Sequence, residues 1–160
     1  MSTLTDAGIT VSLPRGWDGQ IRAAGAPLPR VAAATAAPAS GVGSVLHAAS
    51  FALPAERGDY GSGAVEAMGG SDVLVCLLEH PPEDVGTRLF RHQGLPRLRD
   101  DAFSPQTMQR AMPGMAGTQH FFHENGRAFC LYVVVGSYRT RGPLVRAADG
   151  VVRSIRMSPR

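Results

Sequence analysis

The amino-acid sequence predicts an α+β fold in which an antiparallel β-sheet is flanked by helices. Two short, continuous apolar runs, VLVCLL and LYVVV, are typical of central strands that are covered on both faces. A hairpin signal, Asn125-Gly126, joins the second run to another apolar segment, and a helical pattern closes the chain. Strands that come first and a helix that comes last favour an antiparallel sheet over alternating βαβ units.

The composition predicts a single domain over residues 1–160. The chain has 160 residues, 44% hydrophobic and 18% charged, which is the range of globular proteins and is long enough for a packed core. All 16 basic residues are arginine, so lysine chemistry such as a Schiff base, a Walker lysine or a Ser-Lys dyad is excluded. The lack of lysine and the many Ala, Gly, Pro and Arg residues suggest a high-GC bacterium as the source.

Two features predict a cytoplasmic protein with no membrane contact. The first residues carry neither a basic region nor a long apolar stretch, and the longest apolar runs fall far short of the roughly 20 residues that span a bilayer. Cys76 and Cys130 stand alone within those runs, which is typical of buried, reduced thiols rather than of a disulfide.

The first strand is predicted over residues 9–13, where apolar and polar residues alternate, and a second strand over 20–24. Asp18-Gly19 between them indicates a tight hairpin turn. Trp17, the only tryptophan, lies in this interruption after Gly16. We expect its ring to fold back and to plug the end of the sheet as a structural anchor.

The next segment, 25–43, is a long Ala/Pro/Gly loop without a sustained period. Loops of this length are commonly functional or disordered, so the loop is interpreted as an arm that meets a partner or as a tolerated insertion. A strand is predicted over 44–53, and the central strand follows over 72–80.

A short helix is predicted at SPQTMQRAM, with Ser104 as its N-cap. It would place Met108 and Met112 on one side. Together with Met115 these adaptable side chains are candidate interface residues. Packing in the core is the alternative, and the pattern favours it over a partner groove.

The late hairpin has a predicted register. With Asn125-Gly126 as a type I′ turn, Phe122 faces Phe129, and the two rings are expected to anchor one face of the sheet. The last segment places Leu144, Ala148, Val151, Val152 and Ile155 at helical spacing, which predicts an amphipathic helix interrupted at Gly150.

No catalytic or cofactor-binding pattern is present in the sequence. His120 and His123 lie three apart in a predicted strand, so they point to opposite faces and cannot share one metal ion. The glycine-rich stretches match neither a Walker loop nor a dinucleotide fingerprint, and no GxSxG nucleophile motif occurs. We therefore expect no enzyme activity, no metal and no cofactor.

A local run of arginines includes Arg97 and Arg99, which we regard as candidate interface residues. Asp100 and Asp101 follow directly, and no aromatic residues are interleaved, so the pattern disfavours nucleic acid as the partner. A solvated loop is the simpler interpretation of the run.

The turn residues Pro14, Gly16 and Trp17, and the final helix followed by a short segment at 154–157, resemble the Mog1/PsbP-like family. The resemblance implies an α/β/α sandwich and a non-catalytic accessory or adaptor module that docks onto a larger protein assembly. The alternative is a small-ligand-binding protein or enzyme with a pocket between sheet and loops.

Overall fold

The computed structural model describes residues 1–25 and 43–160. The expected loop at 25–43 lies almost entirely outside the described residues. The regular elements in chain order are β1 Ser2–Asp6, β2 Ile9–Leu13, β3 Asp18–Ala23, β4 Ser44–Ala49, β5 Val73–His80, β6 Ala116–Glu124, β7 Arg127–Val135, α1 Arg141–Arg153 and β8 Arg156–Met157.

The strands form two antiparallel sheets. A five-stranded sheet has the order β3-β4-β5-β7-β6, and a three-stranded sheet has the order β1-β2-β8. The fold is therefore mixed and mostly built of strands. In the described part of the chain α1 is the single α-helix, and the other helical pieces are 3₁₀ turns of three residues. The expectation of flanking helical layers is thus only partly met.

The two apolar runs of the sequence form the middle of the large sheet, as predicted. β5 and β7 are neighbours, with Cys76 opposite Tyr132 and Leu78 opposite Cys130. Residues 73–79 and all of β7 are buried. Because successive side chains of a strand point to opposite faces, this burial requires a cover on both sides.

The two faces of the large sheet have different covers. The first face packs against α1 and the three-stranded sheet, and its core includes Ile9, Val11, Leu131, Val151 and Ile155. The second face is covered by irregular segments within 51–68 and 108–115. The covering layer that the sequence predicts as helical is therefore loop and 3₁₀ turn on this side.

The first hairpin differs from the sequence-based prediction. β2 pairs with β1 through an Ala7-Gly8 turn, whereas β3 belongs to the other sheet. Asp18-Gly19 is not a turn, because both residues already lie in β3.

The chain changes sheets at Pro14–Trp17, where the Trp17 amide donates to the Pro14 carbonyl at 3.1 Å. Gly16 there has a φ of 85°, a conformation that favours glycine. Trp17 is half-buried against the first-face core. Its place between the two sheets agrees with a role in packing.

The β6–β7 hairpin confirms the predicted register. Asn125 and Gly126 have φ values of 51° and 76°, as a type I′ turn requires. Phe122 lies opposite Phe129, and the stacked rings have centroids 5.6 Å apart. Both rings are fully buried on the first face, where they anchor the core.

The predicted helix at 104–112 is wrong beyond its first turn. The Ser104 side chain caps the Gln106 amide at 3.1 Å, but the 3₁₀ turn covers only Pro105–Thr107. Met108 has extended backbone, with a ψ of 145°. Its neighbour Gln109 instead donates its amide to the Tyr132 hydroxyl at 2.8 Å, a tertiary contact that fixes the segment on the sheet.

The final helix is amphipathic as predicted, with Ala148, Val151 and Val152 buried, but it ends at Arg153, before Ile155. Val145 is buried where the pattern named Leu144, and Gly150 lies within the helix without interrupting it. In the part of the chain that the structure describes, no helix has both the length and the apolar character needed to cross a membrane.

Candidate functional site

A cleft of about 400 Å³ opens beside the β6–β7 turn. We call it the arginine cleft, since three arginines contribute to its walls. It is formed where three distant parts of the chain meet: the loop at 95–97, the hairpin turn at 124–125, and the end of α1 with β8. Its lining residues are Leu95, Pro96, Arg97, Glu124, Asn125, Val152, Arg153, Ile155, Arg156 and Met157.

The walls of the arginine cleft are held by the hairpin turn and the C-terminal segment. The Asn125 side chain, placed by its left-handed backbone, donates from Nδ2 to the Met157 carbonyl at 2.6 Å. At the end of α1 the amides of Ser154 and Ile155 donate to the carbonyls of Val151 and Val152 at 3.0 Å. These bonds direct Ile155 and Met157 inward, where both are buried.

The guanidinium groups of the arginine cleft keep donors that no described residue engages. The Arg97 side chain is 68% exposed and its nearest carboxylate oxygen, on Asp149, is 3.7 Å away. Arg156 donates to the carbonyls of Arg153 and Ile155 at 2.7 and 2.8 Å. The Arg153 side chain has no ion pair or hydrogen bond with any residue in 1–25 or 43–160.

This arrangement suits a ligand that carries both acidic and apolar groups. Three arginines face one glutamate, Glu124, across the lining, so the cleft attracts negative charge. Its partly exposed apolar lining residues, Leu95 and Pro96, can contact a hydrophobic group. Arginine is well suited to carboxylates because its planar fork can donate two parallel hydrogen bonds.

The two arginines selected from the sequence are separated in the structure. Arg97 lines the arginine cleft. Arg99 lies outside it, is exposed, and pairs with Asp101 at 3.2 Å. A pair of exposed charges of this kind contributes little to stability. The structure therefore supports Arg97, and not Arg99, as part of this site.

The three methionines selected from the sequence lie elsewhere, on the second face of the large sheet. Met115 is buried in that core, and Met108 and Met112 are half-buried against it. The alternative of core packing therefore describes Met115, and the helical stripe that would have aligned the three side chains is absent. A partner contact through Met108 and Met112 stays a prediction.

A buried polar network lies beneath the second face. The His47 side chain is fully buried, and its Nδ1 accepts a hydrogen bond from Arg57 Nε at 2.8 Å. Its Nε2 donates to the Asp59 carbonyl at 2.8 Å. Arg57 also donates to the Pro54 carbonyl at 2.6 Å and to the Gln20 side-chain oxygen. Burial, with the nearby charge of Arg57, lowers the pKa of His47 from 6.5 to about 4, so the ring is neutral at pH 7.

A second buried network lies at the end of β5 on the first face. Arg127 donates to both carboxylate oxygens of Glu79, at 2.8 and 2.9 Å, and Arg160 binds the same carboxylate. Burial tends to raise the pKa of Glu79, but the hydrogen bonds from Arg127, Arg160 and the Ser44 amide outweigh it and lower the pKa to about 2. This network ties the C-terminal residues to the sheet.

The two thiols are buried and reduced. Burial raises the pKa of Cys76 and of Cys130 above the usual value, which disfavours the reactive thiolate. Burial also raises the pKa of Tyr60, whose hydroxyl lies near Cys130, to about 12. These groups are therefore held in their neutral forms, as expected for core residues.

Sequence reasoning missed most of the arginine cleft. Arg153 and Arg156 lie on the polar side of the predicted final helix and just after it, where arginines are normally solvated. Asn125 was assigned only to a turn. The signal that brings these residues together with 95–97 is a tertiary contact: the Leu98 amide donates to Asp149 of α1 at 3.1 Å. A local sequence pattern does not predict this contact.

Comparisons with family models, with curated proteins and with solved structures found no match for this chain.

Proposed function

We propose that this protein is a non-catalytic binding module that docks onto a protein partner through the arginine cleft. The observation that carries the proposal is the cleft itself, in which Arg97, Arg153 and Arg156 surround apolar walls. The matching partner is a peptide segment in which acidic and apolar side chains are interleaved. Such a segment would place carboxylates on the arginines and an apolar side chain between them.

The resemblance to the Mog1/PsbP-like family supports the docking role, because that family consists of accessory modules. It is carried by the turn residues Pro14, Gly16 and Trp17 and by the order of sheet, helix and terminal strand. Membership in that family and its sandwich architecture are part of the proposal. A cytoplasmic location belongs to it as well, and the free thiols of Cys76 and Cys130 support a reducing compartment.

A protein segment fits the cleft better than a nucleic acid. Among the described residues, no aromatic side chain on which a base could stack lines the cleft. This feature leaves a carboxylate-bearing peptide as the favoured partner.

The test uses two fluorescein-labelled peptides of equal length. One alternates Glu and Leu, and the other alternates Gln and Leu. Fluorescence anisotropy measures the affinity of each for the full chain. We expect the Glu peptide to bind at least ten times more tightly at low salt, and its binding to weaken as salt increases.

Two triple variants separate the cleft from general surface charge. The cleft variant carries Arg97→Ala, Arg153→Ala and Arg156→Ala. The control variant carries Arg88→Ala, Arg91→Ala and Arg139→Ala, which removes three exposed arginines from outside the cleft.

Loss of binding in the cleft variant with retention in the control supports the proposal. Equal losses in both variants, or equal affinities for the two peptides, would overturn it.

A further inference from the structure

A separate pocket lies on the side of the molecule where β3 begins. It has a volume of about 310 Å³ and lies between the first residues of β3 and the loop at 53–57. Its lining residues are Asp18, Gly19, Gln20, Leu53, Ala55 and Arg57. None of them belongs to the arginine cleft.

Within the described residues, no carboxylate forms a salt bridge with the guanidinium of Arg57 in this pocket. Arg57 is only 4% exposed, yet its three hydrogen bonds go to neutral acceptors on His47, Pro54 and Gln20. A guanidinium has five N–H donors, so one N–H on each terminal nitrogen stays available. A buried charge without an opposite charge is costly, and a bound carboxylate would supply it.

Two carboxylates lie near Arg57, but both are engaged elsewhere. Asp59 accepts from Arg22 Nη2 at 3.3 Å and from the Gly25 amide at 2.8 Å. Asp18 accepts from the Gly19 amide at 2.9 Å and from the Leu53 amide at 2.8 Å. These backbone bonds fix the Asp18 carboxylate at the pocket wall while leaving lone pairs on both oxygens.

The pocket therefore presents a fixed cation, Arg57, and a fixed anion, Asp18, with the apolar side chain of Leu53 beside them. From this pairing we infer that the pocket binds a small zwitterion of the α-amino-acid class. The ligand carboxylate accepts from Arg57, and the ligand ammonium donates to Asp18.

Competing ligand classes fit less well. A dianion such as inorganic phosphate would be repelled by the negative charge of Asp18. A simple amine would leave the guanidinium of Arg57 without a carboxylate. A neutral sugar would satisfy neither charge. A zwitterion satisfies both at once, and the volume is in the range of small-molecule sites.

The binding test uses isothermal titration calorimetry on the full chain. The standard L-amino acids are screened one at a time, and inorganic phosphate is the comparison ion. For a leucine-sized ligand the matched probes are L-leucine, 4-methylpentanoate, which lacks the amine, and 3-methylbutylamine, which lacks the carboxylate. We expect the amino acid to bind at least ten times more tightly than either analogue. Equal or stronger binding of an analogue or of phosphate would overturn the inference, as would the absence of saturable binding by every amino acid.

A variant that keeps the fold tests the missing charge directly. Gln20→Glu places a carboxylate where Arg57 already donates, with almost no change in shape. We expect amino-acid affinity to fall at least tenfold and the melting temperature to rise by about 2 to 4 °C, because Arg57 gains a permanent partner.

Two further variants complete the test of the pocket. Gln93→Glu, at an exposed position outside the pocket, should change neither affinity nor melting temperature. Asp18→Asn should weaken binding of the amino acid and should not weaken binding of 4-methylpentanoate. A fall in the melting temperature of Gln20→Glu, or unchanged affinity in both pocket variants, would contradict the inference.

Discussion

The two faces of the five-stranded sheet differ in what covers them and in what binds the arginine buried there. The first face is closed by α1 and the three-stranded sheet, and its buried guanidinium, Arg127, is held by the carboxylate of Glu79. The second face is closed by irregular segments, and its buried guanidinium, Arg57, is held by neutral acceptors. Both arginines are almost completely buried, at 2% and 4% exposure.

The charge of Arg127 is neutralised within the protein, whereas the charge of Arg57 is available to a ligand. Arg127 is saturated, because Glu79 takes two of its donors and the carbonyls of Ala7, Gly8 and Ser158 take the others. Arg57 borders a pocket and keeps unused donors. The comparison predicts that the first face contributes most of the stability and that the guanidinium of the second face is open to a ligand.

The largest expected effect comes from the stacked rings of the first face. Phe122→Ala should lower the free energy of unfolding by about 3 to 5 kcal/mol, since it removes a fully buried ring and leaves a cavity. Met108→Ala, at a half-buried position of the second face, should cost only about 1 kcal/mol. Urea denaturation measures both values. Equal losses would remove the proposed difference between the faces.

The buried arginines give the next largest contrast. Arg127→Met should lower the free energy of unfolding by about 3 to 5 kcal/mol, because it removes the buried partner of the Glu79 carboxylate. Arg57→Met leaves only neutral acceptors unpaired and should cost about 1 to 3 kcal/mol.

Urea denaturation of the two arginine variants provides the measurement. A double variant, Arg127→Met with Glu79→Leu, provides the control and should recover part of the loss, because the unpaired charge is gone. A larger loss for Arg57→Met than for Arg127→Met would reverse the interpretation.

The two networks should also respond to acid in different ranges. The unfolded chain protonates His47 as the pH falls through 6.5, but the folded protein does so only near 4. Stability should therefore decline between pH 6.5 and 4, by about 3 kcal/mol. Glu79, with a folded pKa of about 2 against 4.5, adds a further decline of about 3 kcal/mol between pH 4.5 and 2.

His47→Gln is the variant that separates the two ranges. This variant should reduce the decline in the free energy of unfolding between pH 6.5 and 4 and leave the decline between pH 4.5 and 2 unchanged. Part of the upper slope should persist, because burial, together with the charge of His92, also lowers the pKa of His120. The measurement is urea denaturation at a series of pH values. An unchanged upper slope would show that His47 is not the group responsible.

The sequence predicted what local patterns determine. The β6–β7 register follows from Asn125-Gly126, the central strands follow from their apolar runs, and the α1 face follows from helical spacing. Prediction from the sequence failed where contacts between distant parts of the chain override the local preference for a helix or a turn. The segment after Ser104 has the cap of a helix but leaves helical geometry at Met108, since Gln109 bonds to Tyr132 on the sheet.

The candidate sites were less predictable than the fold for the same reason. The arginine cleft needs 95–97 beside the end of α1, and the Arg57 pocket needs the loop at 53–57 beside β3. Arg57 and His47 lie ten positions apart without a recognisable motif. Arg57 differs from the exposed arginines in its burial, and the burial of a single arginine cannot be inferred from the sequence.

The smallest expected effect concerns the helix that covers the first face. Gly150 lies inside α1, and a Cβ there would meet open space. Glycine in a helix interior costs conformational entropy relative to alanine, so Gly150→Ala should raise the free energy of unfolding by about 0.5 to 1 kcal/mol. The gain should appear in urea denaturation and leave peptide and amino-acid binding unchanged. A loss of stability would mean that α1 needs the glycine for its packing, and that the first face is less completely closed than its burial indicates.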